Sequence, residues 1–186
     1  MSNAFHIRRA ARAFNSGGVI AYPTEGVWGL GCDPFDADAV AKLLQLKQRD
    51  VAKGLILVAA AIAQLEPFLH TITPAQREQL ERSWPGPNTW VVNHGNTLPE
   101  WITGYKPSVA LRVSAHPGVA ALCRACGGAI VSTSANPGGR APAKTALQVR
   151  RYFGGALDYV LPGKLGGQTG PTPIRDLASG RLLRGG

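Results

Sequence analysis

The sequence predicts an α/β fold, a sheet covered by helices, and three observations carry that expectation. Short β-rich runs alternate with segments of helical periodicity along the chain. The 186 residues, 45% hydrophobic and 17% charged, suit one globular domain able to bury most of its unfolded surface. No repeat, linker or break in composition divides them, so a single domain over residues 1–186 is expected.

Taken in order, Phe5 to Asn15 places Ile7, Ala10, Ala11 and Phe14 at helical spacing and closes on Ser16-Gly17-Gly18, a helix stop. Gly18 to Tyr22 is a strand ended by Pro23, and Pro23 to Asp33 is expected as a loop hanging from that strand end. Asp36 is a good N-cap for a helix to about Lys47 in which Val40, Leu43 and Leu44 face inward. Gly54 to Ala60 looks like a buried strand. Thr73-Pro74-Ala75-Gln76 is a capping box with proline at the first helical position, opening a helix to about Trp84, where Trp84-Pro85-Gly86-Pro87 breaks it. Thr89 to Asn93 and Ser108 to Val113 are further strands. In the second, Val109, Leu111 and Val113 alternate with Ser108, Ala110 and Arg112, so Arg112 lies on the face opposite the aliphatic residues. A helix around 117–126 precedes the strand Ala129 to Val131, which runs into Ser132-Thr133-Ser134-Ala135-Asn136. A helix near Thr145–Phe153, a strand near Leu157–Leu161 and a strand pair near Thr172–Asp176 and Arg181–Arg184 complete the pattern. Between them, four of the eight residues of 163–170 are glycine, which marks that segment as a mobile loop.

Composition narrows the function. Apolar runs such as Gly54 to Ala63 are far shorter than the roughly 20 residues that span a bilayer, and the start of the chain lacks the apolar stretch and cleavage site of a secretory signal, so a cytoplasmic protein with no membrane partner is expected. Three cysteines argue against a disulfide framework. Cys123 and Cys126 share one helix face as packed small residues, and with no second such pair and four scattered histidines no metal site is expected. The net charge is +9; residues 105–186 carry eleven Lys/Arg against Asp158 and Asp176, whereas residues 1–104 carry nine of each sign. Such a surplus attracts polyphosphates, nucleotides and RNA alike.

Three polar loops follow or flank apolar elements: Thr24-Glu25, Lys47-x-Arg49-x-x-x-Lys53, and Ser132 to Asn136. In open α/β sheets such loops gather at strand ends where ligands bind, and with no acidic or metal-binding cluster they suggest an anion pocket. Lysine supplies a point charge and arginine a bidentate fork, a combination that neutralises a polyphosphate. Two plainer readings stand beside this one: Lys47 and Arg49 as a solvated helix end, and Ser132-Thr133-Ser134 as a turn whose hydroxyls satisfy nearby backbone. Phosphate-loop and dinucleotide glycine motifs are absent, and neither a nucleophile elbow nor a Ser-His-Asp arrangement is present.

Pro23-Thr24-Glu25-x-x-x-Gly29-Leu30-Gly31, Lys47-x-Arg49, Trp84-Pro85-Gly86-Pro87, Ser108 to Val113, His116-Pro117, Ser132 to Asn136 and the closing Pro171 to Asp176 stand in the order and spacing of the YrdC/TsaC family, which the chain resembles over essentially its whole length. The resemblance implies a single-domain, twisted, open mixed sheet with flanking helices, curved around a large basic concave surface. It implies synthesis of threonylcarbamoyl-AMP from ATP, L-threonine and bicarbonate with release of pyrophosphate, serving threonylcarbamoyladenosine (t6A) modification of tRNA, with Mg²⁺ accompanying the ATP and a functional link to the t6A-transfer protein complex. By motif matching, Lys47, Arg49 and Lys53 would hold the phosphates, with Lys47 and Arg49 acting electrostatically in the chemical step. Ser108, Ser134, Asn136 and Arg184 look like nucleotide-side contacts. Thr24, Arg112, Ser132 and Thr172 look like threonine contacts. No general base is obvious, which suits a mechanism dominated by positioning. The chain departs from the pattern at Gly26, Trp28, Gly54 and Val58; Trp28 suits an aromatic wall. The competing function is a module that binds tRNA or other double-stranded RNA on the basic surface without synthase activity.

Overall fold

The computed structural model describes residues 3–185; Met1, Ser2 and Gly186, the ends of the expected domain span, lie outside it. Among the described residues six α-helices and nine strands alternate, much as the periodicity predicts except for the short helix at Glu100–Thr103, which the sequence does not signal. Helix α1 (Asn3–Asn15) is followed by β1 (Ile20–Pro23), β2 (Trp28–Gly31), α2 (Ala37–Lys47) and β3 (Ile56–Ala59). Then come α3 (Pro74–Ser83), β4 (Thr89–Asn93), the short α4 (Glu100–Thr103), β5 (Ser108–Val113), α5 (Pro117–Ala125) and β6 (Ile130–Ser134). Helix α6 (Ala146–Phe153), β7 (Tyr159–Val160), β8 (Ile174–Asp176) and β9 (Leu182–Arg184) close the chain. The strands form one mixed sheet in the order β7-β1-β2-β6-β3-β5-β4-β8-β9. β1–β7, β3–β5 and β4–β8 are parallel and the other neighbours antiparallel.

The predicted caps are in place. The Asp36 side chain accepts from the Ala39 amide, and Thr73 and Gln76 form the reciprocal capping box on α3; a further box, Thr145 with Gln148 on α6, is not among the predicted caps. The three cysteines are free, and Cys123 packs wholly buried against β3, its thiol on the Val58 carbonyl.

Two expected loops are strands instead. Trp28–Gly31 pairs with β1 as a hairpin, and β6 continues through Ser132 and Thr133 to Ser134, pairing with β2 and β3. Glycine concealed the first of these. Gly29 and Gly31 face Tyr22 across the hairpin, and a Cβ at Gly31 would lie 2.9 Å from the Tyr22 ring and 2.5 Å from the Val131 carbonyl. The ring of Tyr22, fully buried, thus occupies the space that side chains of an ordinary strand would fill. Gly31→Ala is expected to lose about 1–3 kcal/mol, the usual range for overpacking a core, measured by urea denaturation.

Directly paired residues share a sheet face, and alternate residues along each strand do likewise. Val19, Ala21, Leu30, Leu57, Val131 and Leu111 therefore face the main core with α2, α3 and α6. On the other face Ile20, Tyr22, Val58 and Ile130 meet α1 and α5 through Ile7, Phe14, Val119 and Leu122. The continuation of that second face carries Gly29, Ser132, Ser134, Ile56 and Arg112, and these line a cavity rather than a helix interface. Strand period alone puts the polar residues there. Ser132 pairs with Ile56, and Arg112 with Val58.

Candidate functional site

The cavity, about 230 Å³, is walled by Thr24 and Gly26–Gly29 of the hairpin, by Arg49, Leu55 and Ile56 leading into β3, by Arg112 on β5 and by Ser132–Ser134 on β6. Pro142, Gly170–Thr172 and Arg184 complete it. Seven of the eleven residues predicted as site residues line this space: Thr24, Arg49, Arg112, Ser132, Ser134, Thr172 and Arg184. Lys47, Lys53, Ser108 and Asn136 do not.

Three guanidinium groups converge here. Arg49 donates from Nη2 to the Gly54 carbonyl (2.9 Å) and Arg184 from Nη2 to the Thr172 carbonyl (3.1 Å), while the Nε atoms of Arg49 and Arg112 are buried without partners. Desolvation lowers the pKa of Arg184, and the charges of Arg49 and Arg112 lower it further, which shows that the three fields overlap. The single acid is Glu25. Its Oε2 lies 3.2 Å from Arg112 Nη1, both side chains being almost wholly buried, and its Oε1 accepts from the Ser114 hydroxyl at 2.6 Å. Burial alone would raise the Glu25 pKa, but Arg112 and the Ser114 hydrogen bond outweigh it and hold the carboxyl below its ordinary value. The balance is an excess of positive charge in a partly dehydrated cavity, where an anion gains more than it would in water.

The hydroxyls are set by local structure. Thr24 donates to the Val27 carbonyl (2.7 Å), which closes the hairpin turn, Thr172 and Thr89 share a hydrogen bond at 3.0 Å, and Ser134 donates to Asn136 Oδ1 (2.7 Å). Asn136 in turn donates to the Pro137 and Arg140 carbonyls and so shapes the turn after β6.

Lys47 differs from both sequence readings. It is 4% exposed, so it is no solvated helix end, and its ammonium donates to the Ser134 and Asn136 carbonyls behind the cavity wall rather than into the cavity. Burial, with the charge of Arg49 adding to it, lowers its pKa to about 8. Lys53 is exposed at the end of a short 3₁₀ turn, and Ser108 lines a separate groove with Thr71, Gln76, Asn93 and Asp176. Ser108 shares the face of Arg112 but sits two sheet rows away, at the far end of β5.

The 163–170 segment, expected to be mobile, is fastened over the hairpin turn. Gly166 and Gln168 donate backbone hydrogen bonds to the Thr24 and Glu25 carbonyls (both 3.0 Å). His116 accepts the Val119 amide at Nδ1 as the cap of α5, which leaves Nε2–H to donate to the Lys164 carbonyl at 3.0 Å. This explains one departure from the family pattern: a Cβ on Gly26 would stand 2.0 Å from the Gly170 carbonyl. Gly26→Ala is expected to displace the segment and speed tryptic cleavage after the exposed Lys164 several-fold, followed by gel and mass spectrometry. Gly54 is explained too, since its φ of +66° is closed to proline. Val58 lies in the second core, and Trp28, 2% exposed, is both core and cavity wall.

Sequence reasoning missed the Glu25–Ser114–His116 chain. The signal was there in a lone acid embedded in the Pro-Thr-Glu-Gly turn of a basic protein.

The Sua5/YciO/YrdC family model, described as "Telomere recombination", matches residues 12–186. The chain is 57% identical over 178 residues to a threonylcarbamoyl-AMP synthase of Cellvibrio japonicus, covering 96% of this chain and 94% of the relative. It is 53% identical over 186 residues to the protein of the same name from Pseudomonas putida, covering all of both. Among solved structures, P. abyssi Sua5 complexed with L-threonine superposes with a TM-score of 0.89 at 32% identity, covering 96% of this chain and 53% of that one, so the chain spans about half of that longer protein. E. coli YciO shares the fold, with a TM-score of 0.86 at 22% identity over 100% of this chain and 90% of that one. With the family model matching residues 12–186 and relatives at 53–57% identity over nearly the whole of both chains, the chain belongs to the Sua5/YciO/YrdC family.

Proposed function

We propose that this protein is a threonylcarbamoyl-AMP synthase. The observation that carries the reading is the cavity: three guanidiniums against one buried carboxylate, beside the hydroxyls of Thr24, Ser132 and Thr172, in a chain whose full-length relatives bear that name. The amine of L-threonine attacks bicarbonate carbon, water leaves, and a carbamate results. A carbamate oxygen then attacks the α-phosphorus of ATP, the bond to the β-phosphate oxygen breaks, and pyrophosphate departs. Arg112 pairs with the amino-acid carboxylate, and the hydroxyls fix the amino acid. Arg49 and Arg184, backed by the charge of Lys47, offset the charge that develops as pyrophosphate leaves.

Among the described residues no group of three or more His, Cys, Asp or Glu could hold a metal, and Glu25 is already engaged by Arg112 and Ser114. The donor set therefore fits a Mg²⁺ ion carried by the phosphate oxygens of ATP and by water, where it would screen the leaving pyrophosphate. Delivery of the product to the t6A-transfer complex, contact of tRNA with the basic surface, and a cytoplasmic location belong to the same proposal. No helix among the described residues is long and apolar enough to cross a membrane.

The test is to incubate the protein with ATP, L-threonine and bicarbonate and to measure pyrophosphate release with each omitted in turn. Release should require all three. Release without threonine would overturn the reading, and the RNA-binding alternative would then be tested by competition between ATP and RNA at fixed salt.

A further inference from the structure

The Arg112 side chain lines the cavity yet makes no hydrogen bond to the protein among the described residues; what holds it is the ion pair to Glu25. Glu25 does not line the cavity. It is anchored from behind, with Oε1 on the Ser114 hydroxyl (2.6 Å), whose oxygen also accepts the His116 amide (3.1 Å), while the Ser114 amide donates to the Ala59 carbonyl at the end of β3 (3.0 Å). A rigid backbone corner thus fixes a serine, the serine fixes a carboxylate, and the carboxylate fixes a guanidinium. All three residues are at least 95% buried. Opposing this hold, Arg49, Arg112 and Arg184 line one cavity as like charges and repel.

We propose that Glu25, seated by Ser114, is a positioning residue that aims Arg112 at the carboxylate of the amino-acid substrate and thereby sets the selectivity of that half of the cavity. The inference rests on the synthase reading above. It makes a prediction that simple charge counting contradicts. Neutralising Glu25 makes the cavity more positive, so electrostatics alone would tighten every anion; positioning predicts that the amino acid is lost while the polyphosphate is kept. The carboxylate is the one group that restrains this guanidinium among the described residues, so removing it leaves Arg112 free to swing away from its like-charged neighbours.

The experiment compares wild type, Glu25→Gln, Glu25→Asp and Ser114→Ala by calorimetric titration with L-threonine and by steady-state kinetics with ATP and threonine varied. Glu25→Gln is expected to weaken threonine tenfold or more while the apparent KM for ATP stays within about threefold. Glu25→Asp should recover part of the loss. Ser114→Ala, which keeps the charge but loosens its seat, should weaken threonine less but in the same direction. It also keeps the test alive should Glu25→Gln not fold. Equal weakening of both substrates would make Glu25 merely structural, and unchanged or tighter threonine in Glu25→Gln or Ser114→Ala would overturn the proposal. Wild type that neither binds nor requires threonine would refute the synthase reading itself, and the inference with it, whereas a threonine-dependent wild type with indifferent variants refutes the inference alone.

Discussion

Arg112→Ala should abolish most threonine-dependent turnover and also lose about 3–5 kcal/mol of stability at neutral pH, because it strands the buried Glu25 carboxylate. The two effects separate with pH. In the wild type the folded Glu25 pKa lies below its unfolded value of about 4.3, so the stability it brings is fully present above that value and is lost as pH falls through the lower folded one. Without Arg112 the burial that opposes ionisation is left in control, and the folded pKa rises above the unfolded one. The folded variant then binds more protons than the unfolded chain across that window, and its stability falls as pH rises. The deficit of Arg112→Ala relative to wild type should therefore be smaller at pH 5 than at pH 7.5 in urea denaturation. In kinetics the threonine requirement should rise more than the ATP requirement; a variant weakened for ATP alone would reverse the assignment of this half of the cavity.

Lys47→Met should lose ATP-dependent activity by an amount worth about 3 kcal/mol, the order for removing one preorganised group that offsets charge developing in the transition state, here from behind the cavity wall. The sequence suggested a lysine holding the phosphates or, more plainly, a solvated helix end, and neither position would tie it to the stability of the fold. The structure alters that expectation, since the Asn136 carbonyl loses its donor at a cost of about 1–3 kcal/mol. The Lys47 pKa of about 8 gives this prediction its signature. The folded pKa lies below the unfolded value of about 10.4, so between the two the unfolded chain binds more protons and the stability contributed by this group rises with pH. Phosphate binding runs the other way, because it needs the ammonium. From pH 8 upward kcat/KM for ATP should fall while the stability advantage of wild type over Lys47→Met grows. Parallel changes in the two quantities would mean that the lysine acts only through the fold.

Helices were the most legible part of the sequence, because caps such as Asp36 and Thr73 announce them locally. Strands rich in β-branched residues were nearly as plain. What escaped depended on partners distant in sequence: Trp28–Gly31 has too many glycines to signal a strand until Tyr22 lies across it. Seven of the predicted site positions line one cavity; strand alternation accounts for Arg112, Ser132, Ser134 and Arg184, whereas Thr24, Arg49 and Thr172 reach it from turns and loops. The placement of Lys47 against two carbonyls, the seat of Glu25 on Ser114 and the fastening of 163–170 arise from tertiary contacts with no local signature.

The sheet order also bears on how the protein is made. Cavity residues run from Thr24 near one end of the chain to Arg184 near the other, and β9, which carries Arg184, joins the sheet only at the edge of β8. During synthesis the central strands β3, β5 and β6 can pair well before that edge exists. A ribosome that has not yet released the last residues therefore holds a chain with much of its core and an open, unfinished cavity. Substrate binding, which rewards only the finished site, then adds stability to completed molecules and none to truncated ones.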